Sequence, residues 1–503
     1  MKTMKNNFRK FLKHTESIYH ITNKSKYVLV VVFLMLLSAC SAPKEAEQQK
    51  VKTLPENFAS NPKTTDSQQT FTPLKTESYF KDPELEKLLD IAVAQNPDYL
   101  AMQQRILIAN SHLKVAKLAL LPSFDIGADV SGTHYGKYTM DGVGNFDTNF
   151  SQNISEKQRI NTDITPNLFL GGKVSWEADI WGKLSNRKKA AQQRFLASQE
   201  GVRLLQTRLL SDVAELYFKL IALDKQKVIY ERNLKTQQRA LDIVSAQRAV
   251  GKATELAVQQ FNAQNNNILA EAEELNLSID QTEKALLTLL CEYGGKVTRS
   301  KDFLSGHLEV LNQKMSVDSI IHNRPDVSQA YFELLATKAD AKSARAAFFP
   351  TVNLGGYVGL NSFSFATFFD SGSFAWQLLG GITAPIFNKG QIKHEFFTAN
   401  RRQQISFLEY QNSITTAYNE LSALLYRTKA FEDVLKYKSK QVEHLEIAVN
   451  VSNDLYLSGY ANYLEIINAQ KDMLQAELDF VDIQFKNVSS QVLLYKALGG
   501  RIN

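Results

Sequence analysis

The sequence predicts a mixed fold, membrane β-barrel strands combined with long α-helical coiled coils, and three observations carry it. Short runs of strict apolar–polar alternation occur four times. Heptad-spaced stretches separate them, far longer than a globular core requires. The whole arrangement is written twice along 503 residues.

The first segment, residues 1–39, has the pattern of a secretory signal peptide that is removed. Lys2, Lys5, Arg9, Lys10, Lys13, Lys24 and Lys26 precede the apolar run Tyr27–Leu37. At about 11 residues that run is too short to span a bilayer. It ends in Leu37-Ser38-Ala39-Cys40, which resembles a bacterial lipobox with Cys40 as the lipidated residue. The competing reading is an ordinary signal peptide with an incidental cysteine. Residues 40–77, rich in Lys, Glu, Gln, Thr, Ser and Pro, read as an acylated cysteine followed by a flexible tether.

Order is expected from about residue 78. A short helix carrying Leu85, Leu88, Leu89, Ala92 and Val93 leads to Asn96-Pro97-Asp98. From there a first repeat (78–295) has predicted helices at about 97–121, 183–249 and 252–291 and strands at about 123–135 and 167–181. A linker at 296–322 precedes a second repeat (323–503). Its predicted helices are at about 325–348, 390–457 and 461–498, and its strands at about 351–361 and 373–387. The punctuation matches: Pro97 and Pro122 are spaced like Pro325 and Pro350, and an alternating run follows each second proline.

The clearest strand is Gly171–Lys183. Gly172, Val174, Trp176, Ala178 and Ile180 alternate with Lys173, Ser175, Glu177 and Asp179, until Gly182 breaks the pattern. Its echo runs through Phe374, Trp376, Leu378 and Ile382 to Gly390. Gly182 and Gly390 are therefore the expected strand-to-helix junctions. All four strands have the length of tilted membrane strands, although a soluble sheet with one buried face shares the alternation.

Val202, Leu205, Leu209, Val213, Leu216, Leu220 and Leu223 step by three and four, as a coiled-coil seam does. Ile414, Ala417, Leu421, Leu424, Thr428, Phe431 and Leu435 repeat the pattern. A helix over 183–249 would reach ~100 Å, a length suited to spanning a compartment. Each long helix turns back at a glycine: Gly251-Lys252-Ala253-Thr254 in the first repeat and Gly459-Tyr460-Ala461-Asn462 in the second.

Several functions are disfavoured. The chain has 58 Lys/Arg and 52 Asp/Glu, of which residues 1–39 hold seven and one, so 51 of each sign remain. Such a neutral chain does not predict a nucleic-acid partner. The eight histidines show no metal-ligand spacing, and neither Gly171-Gly172-Lys173 nor Gly294-Gly295-Lys296 completes a phosphate loop. No catalytic constellation, cofactor or metal site is expected, and the chain reads as a non-enzyme. Cys291 is expected to be a small buried hydrophobe.

Taken in order, these pieces resemble the TolC-like outer-membrane efflux channel family, in its lipoprotein (OprM/NodT-type) branch. The matching stretches are the Cys40 lipobox, Asp82-Pro83-Glu84-Leu85, Asn96-Pro97, Leu121-Pro122-Ser123, Ser175–Lys183, Arg324–Val327, Ala344–Pro350, Pro385-Ile386-Phe387 and Ala497–Gly500. The resemblance implies a homotrimer in which four strands per protomer make one twelve-stranded barrel in outer-membrane lipid. The helices would form a tunnel extending into the periplasm of a Gram-negative cell.

It further implies a passive exit duct for drugs, toxic small molecules or metals. The partners would be a periplasmic adaptor and an RND-type or ABC-type inner-membrane pump. A type I protein-secretion outlet and a periplasm-spanning structural or adaptor lipoprotein are the alternatives. Gly251, Lys252, Ala253, Thr254, Gly459, Tyr460, Ala461 and Asn462 would be adaptor-facing tips. Glu465, Asn468 and Ala461 would sit at the periplasmic aperture, with Asn468 and Ala461 departing from the acidic and arginine residues common there.

Overall fold

The computed structural model describes residues 50, 52–55, 79–301 and 317–500. The signal segment, Cys40 and most of the tether lie outside these residues. In chain order the elements are α1 (Pro83–Gln95), α2 (Pro97–Leu118), β1 (Ser123–Thr133), α3 (Met140–Thr148), β2 (Thr165–Ala178), α4 (Lys183–Ala249) and α5 (Glu255–Leu290). They continue with α6 (Val317–Asn323), α7 (Pro325–Ala346), β3 (Thr351–Ser362), β4 (Phe374–Thr383), α8 (Gln391–Leu457) and α9 (Tyr463–Ala497). The chain divides into two compact units. One holds His112–Gln192 with Ala336–Gln404, and the other holds Gln49–Ser111, Gln193–Leu335 and Ile405–Asn503.

The first unit contains one antiparallel sheet in the order β1-β2-β3-β4. Two expected strands stop early. The strand expected to reach 181 ends at Ala178, because Asp179 leaves the sheet to bond the start of α4. The strand expected to reach 387 ends at Thr383, just before Pro385, which has no N–H for a ladder. The polar loop between β1 and β2 holds a helix of its own, α3, capped by the Thr139 hydroxyl accepting from the Gly142 N–H at 3.0 Å.

Glycines let β2 and β3 approach closely. Gly171 pairs with Gly359, and a Cβ on Gly359 would lie 2.3 Å from the Leu170 carbonyl oxygen and 2.6 Å from the Gly171 Cα.

Among its described residues the second unit is helical and has three apolar cores. In the largest, Phe80, Leu89, Leu210, Tyr217, Phe218, Leu286 and Tyr495 are buried together. Tyr217 donates to Asp82 Oδ2 at 2.8 Å and accepts from the Ser300 N–H at 3.0 Å, and burial pushes its hydroxyl up to about 12. A second core gathers Ile321, Ile414, Ala417, Leu421 and Leu494. The seam positions expected from heptad spacing supply much of both.

The repeat is legible in the anchors as well as the elements. Asn96, ahead of α2, donates from Nδ2 to the Leu289 carbonyl at 3.0 Å. Arg324, ahead of α7, donates from Nη1 to the Ala497 carbonyl at 3.1 Å. Each residue thus ties the start of one helix to the end of its repeat's last helix. Arg324 adds ion pairs to Asp326 at 2.8 Å and Glu420 at 2.7 Å. Gly201, inside α4, makes room for both repeats: a Cβ there would meet Met102 Cε at 2.9 Å and Gln329 Nε2 at 3.3 Å.

Cys291 is not the buried hydrophobe expected. It is exposed and takes the left-handed conformation (φ +59°) at the end of α5. The Cys291 N–H donates to the Thr288 carbonyl and the Glu292 N–H to the Leu287 carbonyl, the paired bonds of a Schellman motif. Gly499 (φ +72°) occupies the same place after α9.

The expected linker 296–322 is structured at both described ends. Arg299 pairs with Asp224 at 2.6 Å and Glu283 at 3.0 Å, and Val317, Ile320 and Ile321 of α6 enter the second core.

Candidate functional site

The register of the sheet sorts its side chains by polarity. On one face Phe124, Ile126 and Val130 of β1 lie alongside Leu168, Leu170, Val174 and Trp176 of β2. The same face continues through Leu354, Val358 and Leu360 of β3 to Phe374, Trp376, Leu378 and Ile382 of β4. In a water-soluble sheet such a face would be covered. Here Ile126 is 78% and Leu378 80% exposed, and most of the others are exposed as well. A contiguous apolar surface crossing four strands marks a contact with lipid or protein. The opposite face carries Asp125, Asp129, Lys173, Ser175, Glu177, Asn353 and Gln377, with Lys173 paired to Asp129 at 2.5 Å. Strands β1 and β4 each pair on one side only, so the sheet has two open edges.

Two tryptophans tie β2 and its exit to the segments that lead into β1 and β3. Trp176 Nε1 donates to the Leu120 carbonyl at 3.0 Å, and Trp181 Nε1 donates to the Pro350 carbonyl at 2.7 Å. Trp181 also stacks on Phe349 at 4.9 Å between ring centroids.

The strand-to-helix passages have glycines at positive φ, +76° at Gly182 and +81° at Gly390, where a side chain would strain the backbone. At the first, Asp179 accepts from the Leu184 N–H at 2.9 Å and the Ser185 N–H at 2.7 Å. Burial raises the Asp179 carboxyl, but bonds from Ser185 and Leu184 and the charge of Lys183 outweigh it and hold the group below its ordinary value. Glu177 is salt-bridged to Lys183 at 2.5 Å. The second passage has no such carboxylate. There the Gln391 N–H donates to the Asn388 carbonyl at 3.1 Å, and Lys389 joins Gly390 in the left-handed region.

At the hairpin ends, Gly251 (φ +76°) and Gly459 (φ +80°) close matching Schellman motifs. The Lys252 N–H donates to the Gln247 carbonyl at 2.8 Å and the Tyr460 N–H to the Leu455 carbonyl at 2.9 Å. Three residues after each glycine, Thr254 and Asn462 cap the returning helix, accepting from the Ala257 and Leu464 N–H groups. Val250, Leu256, Leu457 and Tyr460 are large apolar residues left exposed at or near the turns.

The two hairpins touch. Val244, Ala257, Phe261 and Ile466 form a small core, with Ala253, Tyr456 and Tyr463 packed against it. The Tyr456 hydroxyl donates to Gln247 Oε1, joining α8 to α4. Arg248 pairs with Glu255 at 2.6 Å across the first turn. Glu465 and Asn468 are exposed on the first turns of α9, and Ala461 is half-buried. Sequence reasoning did not reach Tyr456 and Gln247, because neither carries a motif and they lie 209 residues apart.

Among the described residues no cluster of His, Cys, Asp or Glu could hold a metal ion, and no helix is long and apolar enough to cross a membrane.

Comparison with known proteins agrees with this geometry. A family profile described as outer membrane efflux protein matches residues 88–292 and 317–500. The chain is 25% identical over 475 residues to the probable outer membrane lipoprotein SilC of Salmonella typhimurium, covering 94% of this chain and 98% of that one. It is 27% identical over 438 residues to the toluene efflux pump outer membrane protein TtgF of Pseudomonas putida, covering 85% of each. Among solved structures it superposes on the open state of the Neisseria gonorrhoeae MtrE outer membrane channel with a TM-score of 0.77. That likeness covers 91% of this chain and 98% of MtrE at 23% identity, and it establishes the fold.

Proposed function

Because the chain belongs to the outer membrane efflux protein family, we propose that it is the outer-membrane channel of a tripartite efflux system. Three copies close one barrel, β1 of each pairing with β4 of the next, which leaves no unpaired edge in lipid. The apolar sheet face meets the hydrocarbon and the face with Lys173 and Asp129 meets the lumen. Cys40, by way of its lipobox, carries the lipid anchor. The helices line a duct through the periplasm and leave no chemistry to the channel itself. Energy comes from an inner-membrane RND-type or ABC-type pump through an adaptor. The cargo is a drug, a toxic small molecule or a metal ion.

The observation that carries this reading is the continuous exposed apolar face bounded by two open strand edges. A periplasm-spanning lipoprotein without a barrel has no use for it. The tips around Gly251 and Gly459 dock the adaptor, and three copies of Glu465 ring the aperture and favour cations. The test is purification of the Cys40→Ser chain. A detergent-requiring trimer that changes mobility on heating is expected, and a water-soluble monomer would refute the channel.

A further inference from the structure

A cavity of about 240 Å³ lies between the two hairpins, lined by Ala240, Val244, Phe261, Tyr456, Ile466 and Gln470, with exposed Arg239 at its edge. Its walls are mostly apolar, and Phe261 is fully buried. Its polar lining is Thr236, Arg239, Asn453 and Gln470, and the most buried of these is Gln470. It is 3% exposed, and its Oε1 has no hydrogen-bond partner. An amide oxygen held away from water without a donor is costly, so such atoms normally face a bound water or a ligand.

We propose that this cavity binds a small aromatic carboxamide-like molecule and that occupancy clamps the hairpins together. The ring would pack on Val244, Phe261 and Ile466, and the ligand N–H would donate to Gln470 Oε1. The ligand carbonyl would face the Arg239 side. Because α4 and α5 contribute one wall and α8 and α9 the other, an occupant touches both hairpins beside the Tyr456–Gln247 bond. The binding site stands on the cavity alone; its effect on opening rests on the aperture reading above.

The test uses the full chain in detergent and benzamide as probe, with acetophenone as a probe of similar shape that lacks the N–H. Saturable benzamide binding is expected by ligand-observed NMR. Gln470→Leu should weaken it about tenfold, the size of one lost hydrogen bond, and leave acetophenone unchanged. Ala240→Phe, which fills the space, should remove both. Gln470→Leu deletes an unpartnered buried oxygen, so it should melt no lower than the parent, and circular dichroism verifies that both variants fold.

Absence of saturable benzamide binding, or binding indifferent to both variants, would overturn the site and leave water as its occupant. In bilayers benzamide should reduce opening. Binding without that effect in a conducting channel would overturn the clamp. A chain that binds benzamide but never conducts would instead sink the channel reading and keep the site.

Discussion

Asp179 accepts the Ser185 N–H at 2.7 Å and so turns the end of a membrane strand into the cap of a 67-residue helix. One carboxylate thereby satisfies two of the orphan donors at that helix start. Asp179→Ala should lower stability by about 1–2 kcal/mol, and Asp179→Asn by much less, in denaturant titrations of the detergent-solubilised protein. The sign of the pH dependence follows from the depressed carboxyl. Its contribution is full above the unfolded value of about 3.9 and is lost as pH falls through the lower folded value. The gap between parent and Asp179→Ala should therefore shrink in acid below about pH 4.

Cys291→Gly should stabilise the chain by roughly 1 kcal/mol. Cys291 holds a left-handed backbone angle that the second repeat gives to Gly499, and glycine adopts it without a Cβ penalty. Thermal melting compares the two, and an unchanged or lower midpoint would mean that the thiol makes a contribution the end of α5 does not reveal.

Arg324→Ala should be far more damaging, by about 3 kcal/mol or more. It strips a buried guanidinium from Asp326, Glu420 and the Ala497 carbonyl together. Trimer yield and melting temperature should both fall. Normal yield and melting would show that the helix starts are held by apolar packing alone.

On the proposed aperture reading, with the hairpin contact holding the closed state, Tyr456→Phe should favour opening. Losing the bond to Gln247 removes about 1 kcal/mol from the contact between hairpins, roughly a fivefold change in the closed-to-open ratio. Single-channel recording reads this directly as open probability. An unchanged open probability would leave the small core around Phe261 as the whole of that contact.

Much of the fold could be read from local pattern, because period-two alternation, heptad seams and glycine turns are all properties of short windows. Val174 and Trp176 alternate in the sequence as they do in the sheet, and Gly251 and Gly459 close matched turns. What escaped was non-local. Asp179 alternates in sequence like one more polar strand residue, and only its bonds to Leu184 and Ser185 make it a cap. Cys291 has an apolar neighbourhood in sequence, yet its backbone angle turns it outward. The helix α3 sits within a polar loop whose composition gave no sustained period. Asn96 and Arg324 share a position in the repeat, but their shared task depends on carbonyls more than 170 residues away.

The most direct test of the channel itself is susceptibility. A strain lacking this gene and any other outer-membrane channel of the family should be compared with the complemented strain across antibiotics, dyes, detergents and metal ions. An exit duct predicts heightened sensitivity to at least one class, restored by the intact gene, with pump abundance unchanged. Equal susceptibility across the whole panel would contradict it.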